Sequence, residues 1–279
     1  MNVLRSAFAL AIMGLAGSAH GAEVEIERMT WTEIRDAVAA GNTTVLVPTG
    51  GTEQNGPHMV LGKHNFIIAE TTRRIATRLG DALVAPVLAY VPEVDIASRQ
   101  GHMAYAGTIS MTPQTFIAIL TDTAASLRAH GFKTIVFIGE HGASIDPQTT
   151  VATSLSQAWS ADGVRVVNAS NYYGGNGGAE WLKGQGETDA AIGRHATIQD
   201  TSELLSVFPG GVRMDKRVAD KDGVVGDPTR ATAERGQKLI ELKVEAAVAE
   251  IEAARKIAAG NAAQPERGIF GRIWRWFFG

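Results

Sequence analysis

Four short apolar runs rich in Val and Ile recur along the chain: TVLVP at 44–48, ALVAPVLAYV at 82–91, KTIVFIG at 133–139 and VRVVNAS at 164–170. Each is continuous rather than alternating, the pattern of a strand buried on both faces as in a parallel sheet. Between them, apolar positions fall at helical spacing in FIIAETTRRIATRLG at 66–80, TPQTFIAILTDTAASLRAHG at 112–131 and around SLSQAWSADG at 154–163. Gly80 and Gly131 close two of these stretches as helix stops, and Thr112-Pro113 opens one with a cap and a first-turn proline. A longer helical pattern at 231–259 has one face to lay against the body. Strands alternating with helices predict an α/β domain with a mainly parallel central sheet. Residues 172–193 are glycine-rich and polar apart from Trp181 and Leu182, which predicts a long loop of the kind often used for function. There is no internal repeat and no second domain boundary.

Composition narrows the picture. With 279 residues, 45% hydrophobic and 20% charged, the chain suits one large domain with a sizeable core. A formal net charge of -3 leaves no general basic surface, which argues against a nucleic-acid partner. Residues 1–21 have the build of a secretory signal peptide: Arg5 in a short n-region, an apolar stretch at 7–16, and small residues Gly17, Ser18, Ala19 and Gly21 before a cut ahead of Ala22. Export to a bacterial periplasm is the expectation, with a domain over 22–262 and a separate tail over 263–279. No cysteine is present, so an oxidising compartment finds no thiol to oxidise, and any metal site must use His and carboxylate ligands. The tail PERGIFGRIWRWFFG mixes three arginines with Ile, Trp and Phe. It suits peripheral contact with a membrane interface, and equally docking on the body or on a second subunit.

Candidate chemistry follows two of the strands. In open α/β sheets ligands gather at the carboxyl ends of the strands. TVLVP runs into GGTEQNGPHMVLGKHN at 50–65, carrying Glu53, Asn55, His58 and His64, and KTIVFIG runs into Glu140 and His141. Glu53, His64 and His141 together make one carboxylate and two imidazoles, the ligand type of a catalytic zinc site that keeps a position open for water. The plainer alternative is surface histidines and a helix-capping region near Asn65. The shared placement of Glu53 and His141 directly after buried strands favours the site.

The same segments carry a resemblance. GGTEQNGPHMVLGKH resembles the first signature of the creatininase (creatinine amidohydrolase) family, which reads like GSxEQHGPHLPLxTD. IGEHGAS resembles the family's NGHGGN, and GHMAYAGTIS at 101–110 its GTIS segment. GRHATIQDTSELLSVFP at 193–209 resembles HAGExETS, and GVVGDPTRATAERG at 223–236 is similar to GVxGDPxxAT. Five segments in order cover most of 43–236. The resemblance implies a three-layer α/β sandwich, commonly a homo-oligomer, in which one or two divalent metals activate water to cleave an amide C–N bond.

By position, Glu53 and His141 match family metal ligands, His64 stands where the family has a metal-bridging Asp, and Asn55 where a His ligand of the second metal stands. Ala143 occupies the place of a Glu ligand of the creatininases proper. An imidazole offers one lone pair where a carboxylate bridges with two oxygens, so the expectation is one metal per chain, on Glu53, His64 and His141. Zn is the first choice, with Mn or Fe as alternatives. His195 matches the family's catalytic His and is expected to act as general acid/base. Asp200 replaces a Glu that contacts substrate or orients that His. His58 and His102 are expected to be structural or to orient ligands by hydrogen bonding, and Glu140 to lie beside the site.

These residues predict an exported, metal-dependent amidohydrolase acting on a small amide or a short peptide. Two other readings stand beside it: an exported binding protein that keeps the fold without catalysis, and a peptidase of short envelope peptides.

Overall fold

The computed structural model describes residues 23–262. The expected signal segment at 1–21 and the aromatic tail at 263–279 lie outside the described residues. Four strands form one parallel sheet: β1 (Thr44–Thr49), β2 (Ala82–Val84), β3 (Thr134–Gly139) and β4 (Arg165–Asn168), in the order β2-β1-β3-β4. The main helices are α1 (Trp31–Ala39), α2 (Lys63–Leu79), α3 (Pro113–Ala129), α4 (Ile145–Trp159), α5 (Asn171–Gly174), α6 (Gly178–Gly184), α7 (Asp189–Ile192), α8 (Ile198–Val207) and α9 (Ala233–Ala262).

The continuous apolar strands are buried on both sides. Val45 and Val47 of β1 point to one face, where they join Phe137 and the α3 residues Phe116 and Leu120. Leu46 points to the other, joining Ile67 and Ile75 of α2 with Val244 and Ile251 of α9. Alternation along a strand sends neighbours to opposite faces, and an all-apolar run therefore needs helices on both. The result is the three-layer α/β sandwich that the sequence led us to expect.

The strand order places the site. From β1 the chain leaves through α2 to β2 on one side, then returns through α3 on the opposite face to β3 on β1's other side. The reversal opens a crevice between the carboxyl ends of β1 and β3, the place where open α/β sheets bind ligands. Thr49 pairs with Gly139 at that end, and Glu140 N–H donates to Thr49 C=O at 3.0 Å. The two loops that follow therefore start side by side.

Some elements differ from expectation. Of 82–91 only Ala82–Val84 is strand. Ala85 N–H still donates to the Leu46 carbonyl at 2.8 Å, but the next donor to β1 is Leu88 N–H, to the Pro48 carbonyl at 3.0 Å, so the regular ladder ends. The chain then meets β1 at the isolated bridge of Thr49 with Leu88, while Val91 bridges Ser110 outside the sheet. Residues 172–193 are not a loop: they contain most of α5 and all of α6 and α7, pinned by buried Tyr172, Leu182 and Ile192. Glycine-rich spacing hides helices this short, since each has only one or two apolar anchors. The helix α2 begins three residues ahead of the expected start, which places Lys63 and His64 in its first turn. Among the described residues no helix is long and apolar enough to cross a membrane.

Candidate metal centre

Glu53 lies at the centre of four imidazoles. Its Oε1 is 2.7 Å from His64 Nε2 and 3.7 Å from His195 Nδ1. Its Oε2 is 3.3 Å from His102 Nδ1 and 3.4 Å from His141 Nε2. Glu53 comes from the loop after β1, His64 from the first turn of α2, and His141 directly follows β3. His102 belongs to the irregular segment after β2. His195 sits on a tight turn in which residues 194–195 pair with Val225: Arg194 N–H donates to the Val225 carbonyl at 2.8 Å, and Val225 N–H to the His195 carbonyl at 2.9 Å. That pairing is why 193–209 and 223–236 act together. Gly193, at φ +57°, has no room for a side chain, since a Cβ there would stand 2.1 Å from the Val225 oxygen. Ala196 is also left-handed, at φ +56°, a strain of roughly 1–2 kcal/mol held beside His195.

Two ligand sets emerge. Glu53, His64 and His141 offer atoms all within 4.8 Å of one another, and so do Glu53, His102 and His195. The first set is the more available. Gln54 Oε1 accepts from Gly56 N–H at 2.9 Å, which fixes the amide so that Gln54 Nε2 donates to His102 Nδ1 at 2.9 Å. The lone pair of His102 that faces Glu53 is thereby engaged. Glu53 Oε2 is buried without a hydrogen-bond partner, and the Nε2 atoms of His64 and His141 both face the Glu53 carboxylate. One carboxylate and two imidazoles with unmet valences fit a divalent ion.

The electrostatics follow from burial and neighbours. Burial opposes the charge on Glu53, but the facing imidazoles of His141 and His64 and the positive charge of Lys63 outweigh it and hold the carboxyl far below the usual carboxylate range. Burial, then Lys63, pushes His64 down to about 3 despite Glu53, so it stays neutral, as a ligand must be. Burial also opposes charge on His141, yet the carboxylates of Glu53 and Glu93 raise it to about 9. His102 and His195 are both lowered, chiefly by burial.

The remaining sequence candidates separate. Asp200 joins the cavity: its Oδ1 is 2.7 Å from Lys63 Nζ, and its Oδ2 accepts from Thr197 N–H at the start of α8. Asn55 does not reach in; its Nδ2 donates to the Glu53 carbonyl at 2.9 Å and braces the loop from within. His58 is fully buried against α8, with Nε2 2.9 Å from Thr201 Oγ1. Glu140 turns away from His141 into a separate buried cluster, where Lys243 Nζ lies 2.6 Å from both Glu140 and Glu203 and the Tyr172 hydroxyl donates to Glu140. Sequence reasoning missed Lys63, Glu93, Tyr173 and Arg194. Only Lys63, next to His64, carried a local signal. A cavity of about 330 Å³ is lined by Glu53, Lys63, His195 and Asp200, with Tyr173 and Arg194 at its wall.

The family model for creatininase, described as creatinine amidohydrolase, matches residues 27–251. The chain belongs to the creatininase family. This family membership agrees with a structural likeness to a manganese-bound creatininase, at TM-score 0.70 and 22% identity over 83% of this chain and 98% of that one. A creatinine amidohydrolase-like protein from Bacteroides fragilis NCTC 9343 has the same fold, at TM-score 0.65 and 18% identity over 82% of this chain and 95% of that one. In sequence, the chain is 25% identical over 225 residues to a mycofactocin precursor peptide peptidase of Mycobacterium ulcerans (strain Agy99), covering 75% of this chain and 84% of the relative. It is 31% identical over 118 residues to the creatinine amidohydrolase of Pseudomonas putida, covering 42% and 45%.

Proposed function

We propose that this creatininase-family chain is a metal-dependent amidohydrolase that cleaves an amide C–N bond in a short peptide or a small amide. The observation that carries the reading is Glu53 buried among His64, His141, His102 and His195 at the switch point of the sheet. Glu53, His64 and His141 would hold the ion. When bound there, a divalent ion supplies Lewis acidity toward the scissile carbonyl and lowers the pKa of a water.

The chain's own groups supply the rest. The Gln54 carbonyl lies 2.9 Å from His195 Nε2, so that nitrogen carries the proton and Nδ1 keeps its lone pair toward Glu53. Burial keeps the ring neutral. His195 Nδ1 can thus accept a proton from the attacking water and return it to the leaving nitrogen, as a general base and then a general acid. Lys63, locked to Asp200, places a fixed positive charge beside the cavity where negative charge develops on the carbonyl oxygen. Arg194 and Tyr173 at the wall are placed to orient substrate.

A short peptide is favoured over a creatinine-like ring because the peptide peptidase relatives align along most of the chain, whereas the Pseudomonas creatinine amidohydrolase aligns over less than half. Export is part of the proposal, supported by the signal-like residues 1–21; finding the chain at full length in a cytosolic fraction would remove it. The direct test of the reaction is metal content per chain by elemental analysis, followed by a screen of linear and cyclic amides with the loaded protein. About one ion per chain with turnover of a linear amide is expected. An inert protein that holds no Zn, Mn or Fe would instead favour a binding protein.

A further inference from the structure

We propose that Glu93 is a fourth protein ligand of the ion held by Glu53, His64 and His141, supplied by the irregular segment after β2 and not by the loops that follow β1 and β3. The inference rests on the metal-dependent reading above.

The Glu93 side chain is 0% exposed, and neither of its carboxylate oxygens has a hydrogen-bond partner. Burying a carboxylate in that state is costly unless a cation balances it or the group takes up a proton. Its Oε2 lies 3.0 Å from His141 Nε2, the nitrogen that also stands 3.4 Å from Glu53 Oε2. A single N–H cannot satisfy two carboxylates, but one ion can accept all three donors. The other oxygen and the His64 ring both border Gly51: a Cβ added there, at φ +156°, would stand 3.5 Å from the His64 ring and 3.6 Å from Glu93 Oε1.

A simpler role for Glu93 would be to orient His141 by hydrogen bonding. Carboxylates that orient a metal-ligating His take the ring nitrogen remote from the metal. Here the remote nitrogen, His141 Nδ1, makes no hydrogen bond, and Glu93 lies against the nitrogen that faces Glu53. Charge points the same way. Among the described residues neither Glu53 nor Glu93 forms an ion pair with a Lys or Arg, so the two buried carboxylates have only imidazoles for partners. Two carboxylates and two imidazoles would fill a tetrahedral shell, and a reacting water then needs a fifth position. That favours an ion tolerant of five or six ligands, such as Mn²⁺ or a coordination-expanded Zn²⁺.

The test uses the full chain stripped of metal and titrated with Zn²⁺ against a chromogenic chelator. Wild type is expected to take up one Zn²⁺ per chain, and Glu93→Gln to bind it at least roughly tenfold more weakly. The metal-free variant should melt no lower than wild type, because a buried charge has been removed. Loading with Co²⁺ gives a second readout: the visible absorption of Glu93→Gln should differ from wild type in position and intensity, as loss of an oxygen ligand requires. If wild type binds neither Zn²⁺ nor Mn²⁺, the metal-dependent reading itself fails. If wild type binds and Glu93→Gln matches it within about twofold, Glu93 alone is overturned. Weaker binding with an unchanged Co²⁺ spectrum also overturns it, since Glu93 would then act only through His141. Should Glu93→Gln not fold, Glu93→Asp keeps the charge and withdraws the oxygens, and the same loss of affinity with an altered Co²⁺ spectrum is expected.

Discussion

Glu140 and His141 are neighbours in sequence, yet they enter two buried charge clusters of opposite character. Glu140 joins Lys243, Glu203 and Tyr172, where Lys243 Nζ reaches two carboxylates at 2.6 Å and the Tyr172 hydroxyl also meets Thr71 Oγ1 at 2.8 Å. Charges there have partners within the protein. His141 joins Glu53, His64 and Glu93, where oxygens and ring nitrogens stay unpaired although they are buried. A buried ionic group that is fully partnered ties elements together, here β3, α8 and α9. One left short of partners holds a place for something else. Both clusters are charged and buried, so the difference between them lies in satisfaction alone.

The largest effect should come from Glu53→Ala. It is expected to abolish metal uptake and turnover together while the metal-free chain still folds, checked by elemental analysis and circular dichroism. If the variant unfolds instead, the cluster around Glu53 is structural like that around Glu140, and the contrast collapses. Next, His195→Ala should keep the metal and lower turnover by about 10²–10⁴. Unchanged kcat would remove His195 from proton transfer.

Lys243→Met tests the other cluster. It strands two buried carboxylates and should destabilise the fold by about 3–5 kcal/mol in urea unfolding, with Zn²⁺ affinity per folded chain unchanged. A large change in affinity would mean that the two clusters are coupled through the Glu140–His141 step.

The smallest effect is a pH slope. Burial lowers His58 to about 4 from its ordinary 6.5, so the unfolded chain binds a proton that the folded one does not as pH falls through that window. Stability of the metal-free protein should therefore drop from pH 6.5 toward 4, with up to about 3 kcal/mol of the loss belonging to His58. A His58→Gln variant that keeps the full slope would assign the acid lability to other groups.

Much of the frame was legible before any coordinates. Continuous Val- and Ile-rich runs identify β1, β3 and β4, because double-sided burial leaves no polar alternation. Thr112-Pro113 marks the start of α3 through its cap: Thr112 Oγ1 accepts from Thr115 N–H at 3.2 Å. The small helix α1 went unread, although Thr30 and Glu33 form a capping box in plain sight, because its exposed Trp31 obscures the amphipathic pattern. Glu93 was invisible for a different reason. It lies in a stretch where Pro86 and Pro92 break the strand pattern, so nothing local says which way it points.

By itself, the sequence determined the strands, the helices that cover them, and the placement of Glu53 and His141 just beyond two buried strands. Those follow from hydrophobic periodicity and turn chemistry, which act over a few residues. Only the tertiary structure decided that Glu140 and His141 part company, that Lys63 meets Asp200 across 137 positions of sequence, and that Glu93 comes to rest against His141. Which charges meet depends on how distant segments pack, and no short-range pattern in the chain encodes that.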